Sequence, residues 1–238
     1  LSKNAQKRLL RQQKWEAGRE NRITQRKALR KEKKIRRREL IQNGVITPPE
    51  PRHNRFGGEQ TSLTVVLDMS FDHLMLDKEI PSTVRQVARC YSDNRTAKRK
   101  VNLVVTELQG RTQAQFGSIM REYENWKEIT FEPRSYLEVF DKEKLVYLTA
   151  DSDHTLTTLD EDKVYILGTF VDKNRHKGVT HQKASEQGIA TARLPIGDFL
   201  KMASRKVLTV NQVMEIILKY LETQDWAEAM MQFIPQRK

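Results

Sequence analysis

The chain has 238 residues, enough for one α/β domain of ordinary size plus an appendage. Its net charge of +12 is unevenly spread. Residues 1–44 hold sixteen of the 43 Lys/Arg and four of the 31 Asp/Glu, which leaves 27 of each sign over the rest. The single cysteine, Cys90, excludes an internal disulfide and every cysteine-cluster zinc site, and it agrees with a reducing compartment. No apolar run approaches the ~18–20 residues of a membrane span, and the first residues are too polar for a secretory signal. Leu1, standing where a methionine would open a natural chain, suggests a lost N-terminal segment and any targeting signal with it.

Residues 2–42 contain no proline and only Gly18 as a weak point, which predicts one long helix of ~60 Å at ~1.5 Å per residue. Its apolar positions (Leu9, Leu10, Trp15, Ile23, Leu29, Ile35) are too sparse for a heptad stripe, so a coiled coil is disfavoured. A block this basic cannot build its own core and suits a polyanion such as nucleic acid; the alternative is a solvated helix with no partner. Asn43-Gly44 and then Thr47-Pro48-Pro49-Glu50-Pro51 stop the helix and start a stiff linker over 45–59, closed by Gly57-Gly58.

From about residue 60 strands and helices alternate. Short apolar runs at 63–68, 101–106, 145–149 and 164–168 predict four strands, with a helix over about 78–92 between the first two. Residues 112–124 read as a helix or a loop, and 211–223 as a strong helix on the spacing of Val213, Ile216, Ile217, Tyr220 and Leu221. Trp226 and Phe233 are expected to pack the tail onto the domain. Runs of this kind indicate a parallel sheet covered on both faces.

No G-x-G-x-x-G follows the first strand, and no phosphate-loop or nucleophile-elbow motif is present, which argues against dinucleotide, kinase and hydrolase chemistry. Polar chemistry gathers instead at strand ends: Asp68 to Asp72, Thr149 to Asp153, and Gly168 to Gly178. In open α/β sheets ligands bind outside the carboxyl ends of strands, although each loop taken alone also reads as turn and capping chemistry. Asp172 is the sharpest residue, a carboxylate able to take or orient a proton. Arg175 and Lys177 beside it are candidates for phosphate. His176 and His181 have no third partner, so no metal is expected. Gln86, Arg89, Tyr91, Asn94, Arg95 and Lys98 to Lys100 form a stretch that either grips an RNA backbone or is a solvated face.

DMSFDHLM (68–75), RCYSDNR (89–95), VYLTADS (146–152), GTFVDKNRHKG (168–178), ARLPIG (192–197), SRKVLTVNQV (204–213) and YLETQDWAEA (220–229) together resemble the tRNA purine-9 N1-methyltransferases of the SPOUT class. The resemblance covers about residues 60–238 and is nearest to the nuclear and cytosolic, guanosine-directed branch. It implies a parallel α/β sheet ending in a trefoil knot, S-adenosylmethionine as methyl donor, tRNA as partner, and formation of N1-methylguanosine at the ninth tRNA position by a monomer without membrane or metal. By the same resemblance, Asp172 is the catalytic-site aspartate. Leu148, Thr149, Asp151, Gly168, Asp172, Lys173, Leu194, Pro195, Ile196, Lys206, Leu208 and Asn211 would hold the donor. Asp68, Gln86, Asn94 and Arg95, with Arg175 and Lys177, would face the substrate. Gly168-Thr169 stands where a Gly-Gly pair is common. The competing expectation is a non-catalytic RNA-binding or assembly factor of the same fold. The resemblance leaves open whether adenosine is also accepted.

Overall fold

The structure, a computed structural model, describes residues 2–46, 57–199 and 208–231. The chain divides into two compact units, 1–53 and 54–238.

The first unit is helical but not one helix. α1 (Lys3–Ala17) and α2 (Arg19–Gln42) meet at Gly18, whose φ of −82° and ψ of 0° leave the helical region. Glycine costs roughly 1 kcal/mol in a helix interior relative to alanine, so a break there is inexpensive. The Ser2 hydroxyl caps α1 by accepting the Ala5 N–H. The Arg22 guanidinium spans the break, lying 4.9 Å from the Trp15 ring centroid and donating to the Trp15 carbonyl. Neither helix buries a residue. Asn43-Gly44 ends α2 as expected, with Gly44 at a φ of +69° and the Val45 N–H returning to the Leu40 carbonyl. The proline-rich stretch 47–51 lies outside the described residues.

The second unit is a six-stranded parallel sheet. In chain order it comprises β1 (Glu59–Asp68), α3 (Ile80–Thr96), β2 (Arg99–Thr106), α4 (Gly110–Ile119), β3 (Thr130–Glu132), α5 (Tyr136–Val139), β4 (Leu145–Leu148), β5 (Val164–Gly168), α6 (Val179–Glu186), β6 (Ala190–Ala192), α7 (Ile196–Phe199), α8 (Val210–Thr223) and α9 (Trp226–Met231). The strand order is β3-β2-β1-β5-β4-β6. All four expected strands form. β3 and β6 were not expected, because three-residue segments such as Thr-Phe-Glu and Ala-Thr-Ala carry no apolar run. The ambiguous 112–124 stretch is α-helical to Ile119 and then turns into a short 3-10 helix at Tyr123–Asn125.

Alternation along β1 explains how the sheet is buried. Leu63, Val65 and Leu67 join Val84, Val87, Met214 and Ile217 on one face, while Val66 joins Tyr136, Tyr147, Ile166 and Ala184 on the other. Each Val, Leu, Ile or Met among them contributes about 1.5–3 kcal/mol on full burial. At the tail, Trp226 stacks on Tyr220 with centroids 3.9 Å apart and donates its indole N–H to the Thr157 carbonyl. Phe233 lies outside the described residues.

The strand order reverses at β1: β2 and β3 extend to one side, β5 and β4 to the other. Leu67, Val105 and Leu167 stand in register across β2, β1 and β5, so these strands end together. That reversal is where open α/β sheets take ligands.

Candidate active site

Beyond the ends of β4 and β5 lies a cavity of about 760 Å³, within the roughly 300–1,000 Å³ of small-molecule sites. One wall is the turn after β4, Leu148 to Asp151. A second is the loop after β5, from Gly168 through Asp172 to Gly178. Arg193 to Gly197 and then Leu208 to Val210 close it. Leu148, Leu167, Leu194, Ile196, Leu208 and Val213 make its apolar surface, and Thr149, Asp151 and Thr155 its polar one.

The loop after β5 is held in an unusual shape. Lys173 and Asn174 have φ of +54° and +63°, a left-handed pair that costs a non-glycine residue roughly 1–2 kcal/mol each. Asp172 compensates for it. One of its carboxylate oxygens accepts the Asn174 N–H at 2.7 Å and the other the His176 N–H at 2.7 Å. Arg175 adds a bidentate pair with Glu79 (2.6 and 2.8 Å) and a bond to the Leu74 carbonyl at 3.2 Å. Glu79 is only 3% exposed, and the Arg175 hydrogen bonds hold its carboxyl down to about 2. Asp172 is buried and lines the cavity; Lys173 and Lys177 line it and are exposed.

Gly168 allows close packing at the end of β5. A Cβ there would meet the Thr180 methyl at 2.6 Å and the Tyr147 hydroxyl at 3.1 Å. Thr169, where a second glycine is common in the resembled family, has no positive φ, and its hydroxyl donates to the Leu167 carbonyl. The threonine is therefore accommodated without strain.

Of the residues expected around the donor, Leu148, Thr149, Asp151, Gly168, Asp172, Lys173, Leu194, Pro195, Ile196 and Leu208 are brought together around the cavity. Lys206 lies outside the described residues. Asn211 is buried and does not line the cavity; it bonds to Thr209 and Glu215 at the start of α8.

The expected substrate-facing set divides more sharply. Gln86 lines the cavity, and its side-chain carbonyl accepts the Val210 N–H at 3.2 Å, joining α3 to α8. Asp68 does not line it. That residue is fully buried, accepting the Tyr147 hydroxyl and the Lys183 ammonium, each at 2.7 Å. Burial first, and the neighbouring Asp68 second, raise the Tyr147 phenol well above its ordinary value. Asn94 is also buried and binds both the N–H and the carbonyl of Val101, fastening α3 to β2. Arg95 lies 5.1 Å from the Tyr91 ring centroid, and Tyr91 in turn stacks on Trp126. Arg175 is committed to Glu79.

Asn174, His176, Val179, Thr180, Thr155, Arg193 and Val213 line the cavity without having been singled out for it. Most of them sit inside the segments already picked out, so the contiguity of each loop was the signal available. Among the described residues no three His, Cys, Asp or Glu side chains gather as a metal group, and no helix is long and apolar enough to cross a membrane.

The family model described as tRNA (guanine(9)-N(1))-methyltransferase TRM10/TRM10A matches residues 1–238. A tRNA (guanine(9)-N1)-methyltransferase of Schizosaccharomyces pombe is 49% identical over all of this chain and 80% of its own length. The human tRNA methyltransferase 10 homolog A is 47% identical over 75% of this chain and 52% of its own, so the chain spans about half of that relative. Among solved structures, the one described as full-length spTrm10 in an SAH complex superposes with a TM-score of 0.70 at 50% identity, covering 74% of this chain and 97% of the other. A second spTrm10 crystal structure gives 0.71 at 51% identity, over 75% and 98%. The chain belongs to the tRNA (guanine(9)-N(1))-methyltransferase TRM10/TRM10A family.

Proposed function

We propose that the chain is an S-adenosylmethionine-dependent tRNA methyltransferase that forms N1-methylguanosine at the ninth tRNA position. The observation that carries the reading is that Asp172 lines the same cavity as the 148–151, 194–197 and 208–210 segments. The names of the relatives supply the reaction and the position, and the SAH complex of a 50% identical structure supports the donor.

The cavity residues fit that donor. Leu148, Leu194, Ile196, Leu208 and Val213 offer an apolar slot for a purine ring, and Thr149, Asp151 and Thr155 offer polar partners for hydroxyl and amino groups. When bound, S-adenosylmethionine supplies an electrophilic methyl group. Guanine N1 carries a proton that must leave as the new N1–C bond forms. The loop amides of Asn174 and His176 fix the plane of the Asp172 carboxylate. Each carboxylate oxygen keeps further acceptor capacity, and Asp172 uses it to take or hold the N1 proton. Lys173 and Lys177, exposed on the cavity rim, attract the phosphates that flank the target nucleotide.

The trefoil knot and monomeric action belong to the same reading. Segments 194–197 and 208–210, which the knot of the resembled family would bring together, line the same cavity. A non-catalytic RNA-binding factor is favoured by no observation.

The test is Asp172→Asn in the full chain. Single-turnover methyl transfer, at saturating tRNA and donor, is expected to fall by ~10²–10⁴-fold with tRNA affinity nearly unchanged. A rate near that of the parent protein would remove Asp172 from the reaction.

A further inference from the structure

Arg175 sits between the two residues whose amides bind Asp172, yet its own side chain leaves the cavity. The loop sends Lys173 and Lys177 to the cavity lining, while Arg175 is absent from it. The Arg175 guanidinium instead makes three bonds to the segment that leads into α3: two to Glu79 and one to the Leu74 carbonyl. Glu79 is prepared for this role. It is almost wholly buried, it precedes the first turn of α3, and one of its oxygens also accepts the Leu76 N–H at 2.9 Å. Further along the same helix, Gln86 lines the cavity and accepts the Val210 N–H. The Glu79–Arg175 pair therefore fastens the Asp172 loop to the helix that carries another part of the cavity wall.

We infer that Glu79 and Arg175 form a positioning pair for methyl transfer, acting through Asp172 rather than on tRNA phosphate. The inference rests on the proposed function given above. Its physical content is that two consecutive left-handed residues, Lys173 and Asn174, need external support to persist. Asp172 supplies it from inside the loop and Glu79–Arg175 from outside. When the outer support is removed, the loop samples other conformations and the carboxylate spends less time in its working orientation. Misplacement of about 1 Å is enough to cost ~10²-fold in rate.

The experiment uses the full chain with Glu79→Gln, Arg175→Met and Asp172→Asn, singly and as the Asp172→Asn/Arg175→Met pair. Single-turnover rates are measured at saturating tRNA and donor, and tRNA affinity at several salt concentrations. Glu79→Gln and Arg175→Met should each slow transfer by ~10–100-fold, with tRNA affinity within about twofold and an unchanged salt slope. In the Asp172→Asn background, Arg175→Met should add less than about twofold, because its effect runs through the carboxylate already lost. Calorimetric binding of S-adenosylhomocysteine by each variant confirms that the cavity is intact; Glu79→Gln, which keeps the size and hydrogen-bonding shape of the side chain, serves if Arg175→Met fails to fold. A phosphate-binding role for Arg175 would show instead as weaker tRNA binding, a salt slope reduced by about one, and a silent Glu79→Gln. That pattern, or full additivity with Asp172→Asn, overturns the proposal. If the parent protein methylates no tRNA, the functional reading itself fails, a result separate from either outcome.

Discussion

Two carboxylates of the second unit have opposite electrostatic fates, and the contrast lies in their neighbours. Glu79 meets a guanidinium and is held at about 2, whereas Asp93 faces Glu215 across the α3–α8 contact and is pushed up to about 6. Burial is the larger cause for Asp93, the Glu215 carboxylate is the next, and Arg89 opposes them. The folded value lies above the unfolded 3.8, so the relative stabilisation is complete below about pH 4 and is lost as pH rises through 6. Asp93→Asn should therefore stabilise the protein at pH 7–8 by something on the order of 1 kcal/mol after solvent screening, and gain nothing below pH 4. Urea melts of both proteins across that range check this; a gain of equal size at every pH would contradict it. Such pairings explain which residues were legible. Asp172 could be found because it closes a strand-end loop rich in polar residues. The burial of Asp68 and Asn94 could not, since their partners, Tyr147, Lys183 and Val101, become neighbours only through folding. The commitment of Arg175 was hidden for the same reason: nothing local shows that Glu79, 96 residues earlier, is buried and waiting for a cation.

Elements were legible where a single force dominates. β1, β2, β4 and β5 are buried on both faces, so their sequences are nearly continuous apolar runs. β3 and β6 are sheet edges of three residues each, and their pairing is set by the neighbouring strand rather than by their own composition. The long N-terminal helix was expected from the absence of proline, but the intrinsic cost of Gly18 decided the break. α1 and α2 bury nothing, so packing does not explain why their surface is so basic. The proposed role, contact with tRNA phosphates, would account for it. Deleting residues 1–44 should weaken tRNA affinity and flatten its dependence on salt, because fewer counterions are released on binding. The methylated base should stay the same, since base choice belongs to the cavity. Affinities at several salt concentrations, with nucleoside products analysed alongside, test both halves; an unchanged slope would make the helices a solvated appendage.

At the scale of the whole molecule, charge and cavity are divided between the two units. All of the net charge lies in residues 1–44, while the second unit is close to neutral and holds every residue of the cavity wall. The charge side of that division was legible from charge counting alone, and the cavity side from the resemblance. The cavity's place beyond the ends of β4 and β5 followed from strand-end chemistry, whereas the absence of a glycine fingerprint follows from walls built of short segments drawn from several separate parts of the chain. A near-neutral unit that carries the cavity, preceded in the chain by a basic segment able to hold phosphates, suits a reaction on one nucleotide of a folded RNA. The most direct measurement is to incubate the full chain with S-adenosylmethionine and an unmodified tRNA transcript carrying guanosine at position nine, then analyse the digested nucleosides by mass spectrometry. The account predicts one N1-methylguanosine per tRNA, lost when the ninth guanosine is replaced by a pyrimidine. No methylated nucleoside, or N1-methylguanosine that persists after that replacement, would contradict it.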